Sequence, residues 1–245
     1  MPASELKALM RDTLSQFQHL HRLSGSADAE KSADWLCEQL QARDIPFRRD
    51  YCNLWLSDPL EGHLTVAGQQ IKAKTRSFSA SCPDGVEAEL LYDAQSLDFI
   101  PENQRAAWSA RVRGKLVLAD QGFEDYVQRL MHAGALGLVH IWGSAESALH
   151  EETVGPVWGT PVPDDLQRYP TIPVISINQQ DGAHLRSQLS AETLCARLTT
   201  VLHEHVAPCS LPVVELPGSS EEFVLLSSHY DSWHEGVTDN ATGNA

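Results

Sequence analysis

The chain has 245 residues, 42% of them hydrophobic and 21% charged, enough for one large globular domain or two modest ones. Its formal net charge of −15 repels nucleic acid and anionic lipid alike, so neither is expected as an electrostatic partner. No apolar run approaches bilayer length, which excludes a membrane-spanning helix from the sequence reading.

The opening residues, MPASELKALMRD, lack the apolar core of a secretory leader, so a cytoplasmic location is expected, or secretion if a leader has been removed. Leu6, Leu9, Met10, Leu14, Phe17 and Leu20 then recur at three- and four-residue steps and predict a first helix, with Ser4 placed to cap it. HRLSGS (21–26) interrupts at Gly25. A second helix follows with Ala29, Ala33, Leu36 and Leu40 on one stripe, Asp28 and Glu30 in its first turn, Arg43 near its end and Pro46 beyond. From about residue 55 the pattern changes to short strands and turns: HLTVAG leads into a hairpin, and AELLYD (88–93) is a strand. GKLVLADQG (114–122), a helix carrying Tyr126, Val127, Leu130 and Met131, and AGALGLVHIW (133–142) together predict a βαβ crossover.

Residues 143–170 show no period and are rich in Gly, Pro, Trp and acids, which predicts a long irregular loop, with a lid or substrate-contacting role as the functional alternative. TIPVISIN (171–178) is a strand, Asp181–Leu189 a short helix, and RLTTVLHEHV an alternating strand. FVLLSSHYD (223–231) opens as an unbroken apolar run, the pattern of a central strand buried on both faces. The five cysteines are odd in number, far apart and without a CxxC pair, so neither a zinc ribbon nor a dithiol redox motif is expected. Cys37 and Cys195 read as buried thiols.

The chemistry lies in HYDSWHEGVTDNATGNA (229–245). Ligands of open α/β sheets bind beyond the carboxyl ends of the strands, where FVLLSSHYD places His229 and Asp231. Residues two apart on a strand share a face, so Asp231 is expected beside the His229 imidazole, the arrangement that fixes the tautomer of a metal-binding histidine. Asp239 follows ten positions later, beyond Gly236. Two other clusters are weighed and set aside: Glu221-Glu222 reads as a solvated turn, and His203-Glu204-His205 as surface histidines on a strand with no third ligand nearby. Ser227 and Ser228 lack the G-x-S-x-G elbow of a serine hydrolase.

HYDSW followed by G-x-x-DNATG resembles the first half of the active-site signature of the family-28 zinc metallopeptidases, which include co-catalytic aminopeptidases and related exopeptidases. HRLSGS and the helix containing ADWLCEQL are similar to that family's N-terminal helical pair. VRGKLVLADQG, HAGALGLVHIW and TIPVISINQQDGAHL resemble a protease-associated domain. The resemblance implies an α/β fold: part of a metallopeptidase sheet domain of phosphorylase/hydrolase type (1–54 and 200–245) with an inserted mixed β/α protease-associated domain (55–199). It implies that His229 ligates zinc, that Asp239 bridges two zinc ions, and that Asp231 orients His229. His234 and Glu235 are possible substrate contacts, and the substrate is a peptide. The family's general-base glutamate and remaining ligands come from segments with no counterpart in this chain, so it reads as a truncated N-terminal portion, inactive alone. The alternative is a non-catalytic protein in which the protease-associated domain binds peptides or proteins.

Overall fold

The computed structural model describes residues 2–96, 99–143, 149, 152–155 and 160–233. It divides into two compact units, Met1–Leu56 with Val206–Ala245, and Ser57–His205. The chain leaves the first unit within one long strand and returns to it within another.

In the first unit, α1 (Ala3–Phe17) and α2 (Ala27–Gln41) form the expected pair. Ser4 is not the cap of α1. Pro2, fixed in an extended conformation, occupies that position, so Ser4 lies one residue inside the helix and no side chain caps it. The start of α2 is capped by Ser26, whose Oγ accepts from the Ala29 amide at 3.1 Å. Phe17, Ala29 and Ala33 are buried, and the Phe17 ring meets Trp35 edge-on at 5.9 Å. Between the helices Gly25 holds φ +73°, and a Cβ there would stand 2.3 Å from Leu56 Cδ1. This turn therefore requires glycine for both its backbone and the closeness of its neighbour.

Two strands are much longer than the short ones expected. β1 runs Arg48–Val66, through Pro59, and ends in a hairpin to β2 (Gln69–Ile71), with Ala67 at φ 47° and Gly68 at φ 82° between them. After β3 (Lys74–Thr75) and β4 (Cys82–Tyr92) comes α3 (Glu102–Val112), a helix that the sequence pattern did not predict. Then follow β5 (Leu116–Ala119), α4 (Glu124–Ala133), β6 (Gly137–Ile141), a 3₁₀ turn (Pro163–Arg168), β7 (Val174–Ile177), α5 (Gln179–Leu189) and β8 (Leu194–Val213).

The strands form one mixed sheet in the order β2-β1-β8-β4-β5-β6-β7-β3. Its centre is parallel: β4 pairs with β5, β5 with β6, and β6 with β7. The predicted βαβ crossover is present as β5-α4-β6.

Both faces of these short parallel strands are covered, which is why LVLA and GLVHI carry almost no polar residues. Alternate residues serve opposite cores. Val117, Ala119, Leu138 and Val174 pack with Trp108, Val112, Val127 and Leu130 of α3 and α4. Leu116, Leu118, Val139, Ile141, Ile175 and Ile177 pack on the other side with Leu185 of α5. The chain is thus a mixed α/β protein built around a mixed sheet.

Two further expectations are corrected. Residues 223–231 belong to no strand, and Phe223, Val224, Leu225 and Leu226 are 75–91% exposed. A strand exists only through a neighbour that pairs its amides and carbonyls, and among the described residues none lies alongside this run. Cys195 is exposed and Cys37 half-buried, because Cys195 falls on the outward phase of β8, where burial alternates; Cys209 is the buried cysteine. All five cysteines are free thiols. Among the described residues, no helix is long and apolar enough to cross a membrane.

Candidate metal centre

The segment His229–Ser232 lies in the first unit, fastened there by residues distant in sequence. The HRLSGS turn provides most of the grip. Arg22, fully buried, donates from Nε to the Tyr230 carbonyl at 2.8 Å and from Nη1 to the Phe17 carbonyl at 2.9 Å. Its guanidinium also stacks over the Phe17 ring, 4.9 Å from the centroid. The Arg22 carbonyl accepts from the Ser232 amide at 2.8 Å, and Ser24 Oγ donates to Asp231 Oδ2.

A second grip comes from β8. The Tyr230 hydroxyl donates to the Ser210 carbonyl at 2.6 Å, and Ser210 is held in turn. The Ser210 amide donates to Glu30 Oε1 at 3.1 Å, and its Oγ accepts from Arg49 Nη2 at 3.1 Å. Arg49 bridges to Glu30 at 2.7 Å, so α2, β1 and β8 are fastened at the same point. Burial pushes the Tyr230 phenol above its ordinary value, against the lowering effect of its bond to Ser210.

Against this backing His229 and Asp231 face one another. His229 Nδ1 lies 2.8 Å from Asp231 Oδ1 and 3.2 Å from the Asp231 carbonyl. Both neighbours of Nδ1 are acceptors, so the proton belongs on Nδ1 and the lone pair on Nε2. That is the tautomer a metal ion requires, with the carboxylate fixing the orientation of the ring. The imidazole is 44% exposed and the carboxylate 30%, so the pair opens to solvent on one side.

Sequence spacing found this pair but not its supports. Ser210 lay in no motif, and Arg22 and Ser24 of HRLSGS and Tyr230 of HYDSW were singled out without this supporting role. Asp239, His234 and Glu235 lie outside the described residues. Among those that are described, no group of three or more His, Cys, Asp or Glu gathers to hold a metal ion. His229 therefore has the donor chemistry of one metal ligand.

The two clusters set aside in the sequence behave as follows. His203 and His205 share a face of β8, their rings stacked at 4.8 Å, and His205 Nε2 lies 2.8 Å from Asp58 Oδ2. Glu221 and Glu222 are exposed in a bend.

By structure, the chain is similar in fold to several solved α/β proteins. It is similar to the peptidase M28 precursor from Shewanella amazonensis SB2B, with a TM-score of 0.70 and 14% identity over 97% of this chain and 60% of that one. It is also similar to BSAP, a zinc aminopeptidase from Bacillus subtilis, at TM-score 0.58, 18% identity, and 86% and 48% coverage. An aminopeptidase from Aneurinibacillus sp. strain AM-1 gives 0.55, 16%, and 86% and 48%. The chain thus spans about half the length of these structures. No curated protein matches by sequence.

By sequence, residues 213–245 match peptidase family M28, a segment that contains His229 and Asp231.

Proposed function

We propose that this chain provides the N-terminal portion of a zinc-dependent exopeptidase of the aminopeptidase type, with a peptide as substrate. One observation carries the reading: within the segment matched to peptidase family M28 stands an imidazole whose Nδ1 is held 2.8 Å from a carboxylate. His229 is then a zinc ligand and Asp231 its positioning carboxylate. Asp239 would hold metal together with His229 in a two-zinc centre, and His234 and Glu235 would contact substrate. The first unit belongs to the metallopeptidase domain and the second is the inserted protease-associated domain.

Zinc in such a centre supplies Lewis acidity, lowering the pKa of a bound water and polarising the scissile carbonyl. The described residues contribute positioning. Asp231 keeps the His229 proton on Nδ1, Ser24 holds Asp231, and Arg22 holds the backbone between them.

A zinc ion takes three or four protein ligands, and His229 with Asp239 supplies two for a pair of ions. The 245-residue chain is accordingly expected to bind zinc weakly and to turn over no substrate by itself. Zinc titration by calorimetry, run beside aminoacyl-p-nitroanilide hydrolysis, tests both statements. His229→Ala is expected to weaken zinc binding by at least about tenfold, and Asp231→Asn by about 10- to 100-fold at most. Unchanged affinity in His229→Ala would remove the ligand assignment, and sustained hydrolysis by this chain would contradict the ligand arithmetic.

A further inference from the structure

The second unit contains a groove of about 700 Å³ between α3 and α4. It arises from two matching helix faces. Arg105, Trp108 and Ser109 project from α3 at steps of three and four, and Asp125, Gln128, Arg129, His132 and Ala133 do the same on α4. Phe99 and Ile100 close one side. The size is that of an ordinary ligand site rather than a packing defect.

Its floor is fixed by a buried carboxylate. Asp93, wholly inaccessible, accepts from Trp108 Nε1 at 2.9 Å and from the Tyr126 hydroxyl at 2.8 Å, and it pairs with Arg111. The indole that lines the groove and the phenol ring beneath Arg129 are thus held by the same group.

Two guanidiniums lie over this aromatic floor. Arg105 sits 5.7 Å from the centroid of Phe99, and Arg129 sits 5.2 Å from that of Tyr126. Arg105 donates from Nε to the Ile100 carbonyl at 3.3 Å. Arg129 is less well satisfied: its Nε is buried with no hydrogen-bond partner among the described residues, and its Nη2 stands 3.9 Å from Asp125. His132 commits Nδ1 to the Gln128 carbonyl at 2.7 Å. The groove therefore combines apolar surface with two fixed positive charges against one carboxylate, in a chain whose net charge is −15.

We propose that the α3/α4 groove binds a short extended peptide segment carrying a carboxylate next to an apolar side chain. The carboxylate lies against Arg129 and Arg105, the apolar side chain covers Trp108 and Phe99, and Gln128 and Ser109 are within the groove to meet peptide amides and carbonyls. The α4 face from Asp125 to Ala133 is about 12 Å long at 1.5 Å per residue, the span of about four extended residues. Arginine is suited to this role because its planar fork accepts a carboxylate in two-point contact while stacking on an aromatic ring.

The test uses the whole chain and two capped probes, Ac-Leu-Glu-Leu-Glu-NH2 and Ac-Leu-Lys-Leu-Lys-NH2, titrated by NMR without metal, so that its outcome is independent of the zinc reading. The acidic probe is expected to bind and to shift the Trp108 indole and the α3 and α4 amides, while the lysine probe leaves them unmoved. Arg129→Met is expected to weaken the acidic probe at least about tenfold and Arg129→Lys less, with an unchanged melting temperature verifying the fold. Arg129→Glu is expected to transfer binding to the lysine probe. Absence of binding, equal binding of both probes, or indifference to the Arg129 variants overturns the proposal.

Discussion

Arg22→Met gives the most searching test of how the site is held. Methionine keeps an apolar stem of similar length but removes every donor, so the carbonyls of Tyr230 and Phe17 lose the bonds they accept at 2.8 and 2.9 Å. The Tyr230 acceptor left unpaired costs about 1–3 kcal/mol, and the Phe17 carbonyl, which keeps the Leu20 amide at 3.1 Å, loses about 1 kcal/mol more. Loss of the stack over Phe17 adds about 1–2 kcal/mol in a desolvated setting. The buried methionine tip returns about 1–2 kcal/mol. The expected net loss is about 1–5 kcal/mol, and it falls on the first unit. Two units need not unfold together, so a single melting curve is the wrong assay. Native-state hydrogen exchange read by mass spectrometry separates them. Peptides from α1 and α2 are expected to lose protection by the full amount, while those covering β5, α4 and β6 retain theirs. A loss below about 1 kcal/mol in α1 and α2, or an equal loss in both units, would refute the reasoning.

Gly25→Ala forces a side chain into a left-handed backbone, with its Cβ 2.3 Å from Leu56 Cδ1; a loss of about 1–3 kcal/mol is expected in the same exchange measurement, and a neutral result would show the turn to be adaptable. Burial pushes the Cys209 thiol up to about 11, so the folded state keeps its proton after the unfolded chain, near 9, has released it. The resulting stabilisation is complete below pH 9 and is lost between about pH 9 and 11. Thiol labelling at pH 8 should find Cys52 and Cys195 at once and Cys209 only on unfolding; prompt reaction of Cys209 would count against its burial.

The parts of the fold that could be read in the sequence are those whose burial is set by a local period. LVLA, the Tyr126–Leu130 stripe, GLVHI and VISI each show one face or both faces apolar within a few residues, and each forms the expected element. α3 escaped because it buries only Trp108 and Val112, too few to mark a stripe. The true length of β1 was hidden by exposed residues over its first half and by Pro59. FVLL misled in the opposite direction, since an apolar run reports what a strand would gain from neighbours and not whether neighbours are present. In the candidate site, His229 and Asp231 were legible because their spacing of two is a local property. Their supports were not: Arg22 meets Tyr230 across 208 positions, and Ser24 meets Asp231 across 207. No periodicity records a contact of that range.

Those separations also impose a schedule. A ribosome adding about 5–20 residues per second needs about 10–40 s to travel from Arg22 to Tyr230. Throughout that interval the nascent chain holds an arginine destined for full burial with no carbonyl of Tyr230 to receive it. The 57–205 segment can complete its own sheet in the meantime, because its parallel pairs are closed within it. Once β1 and β8 lie side by side, they act as a splint. The loop that remains to be closed falls from about 200 residues to a few tens, and the entropy of closure, which grows with the logarithm of length, falls with it. The segment bearing His229 is therefore fastened to Arg22 only after residues 57–205 have been made, and chaperone or protease access to it depends on how quickly those residues fold.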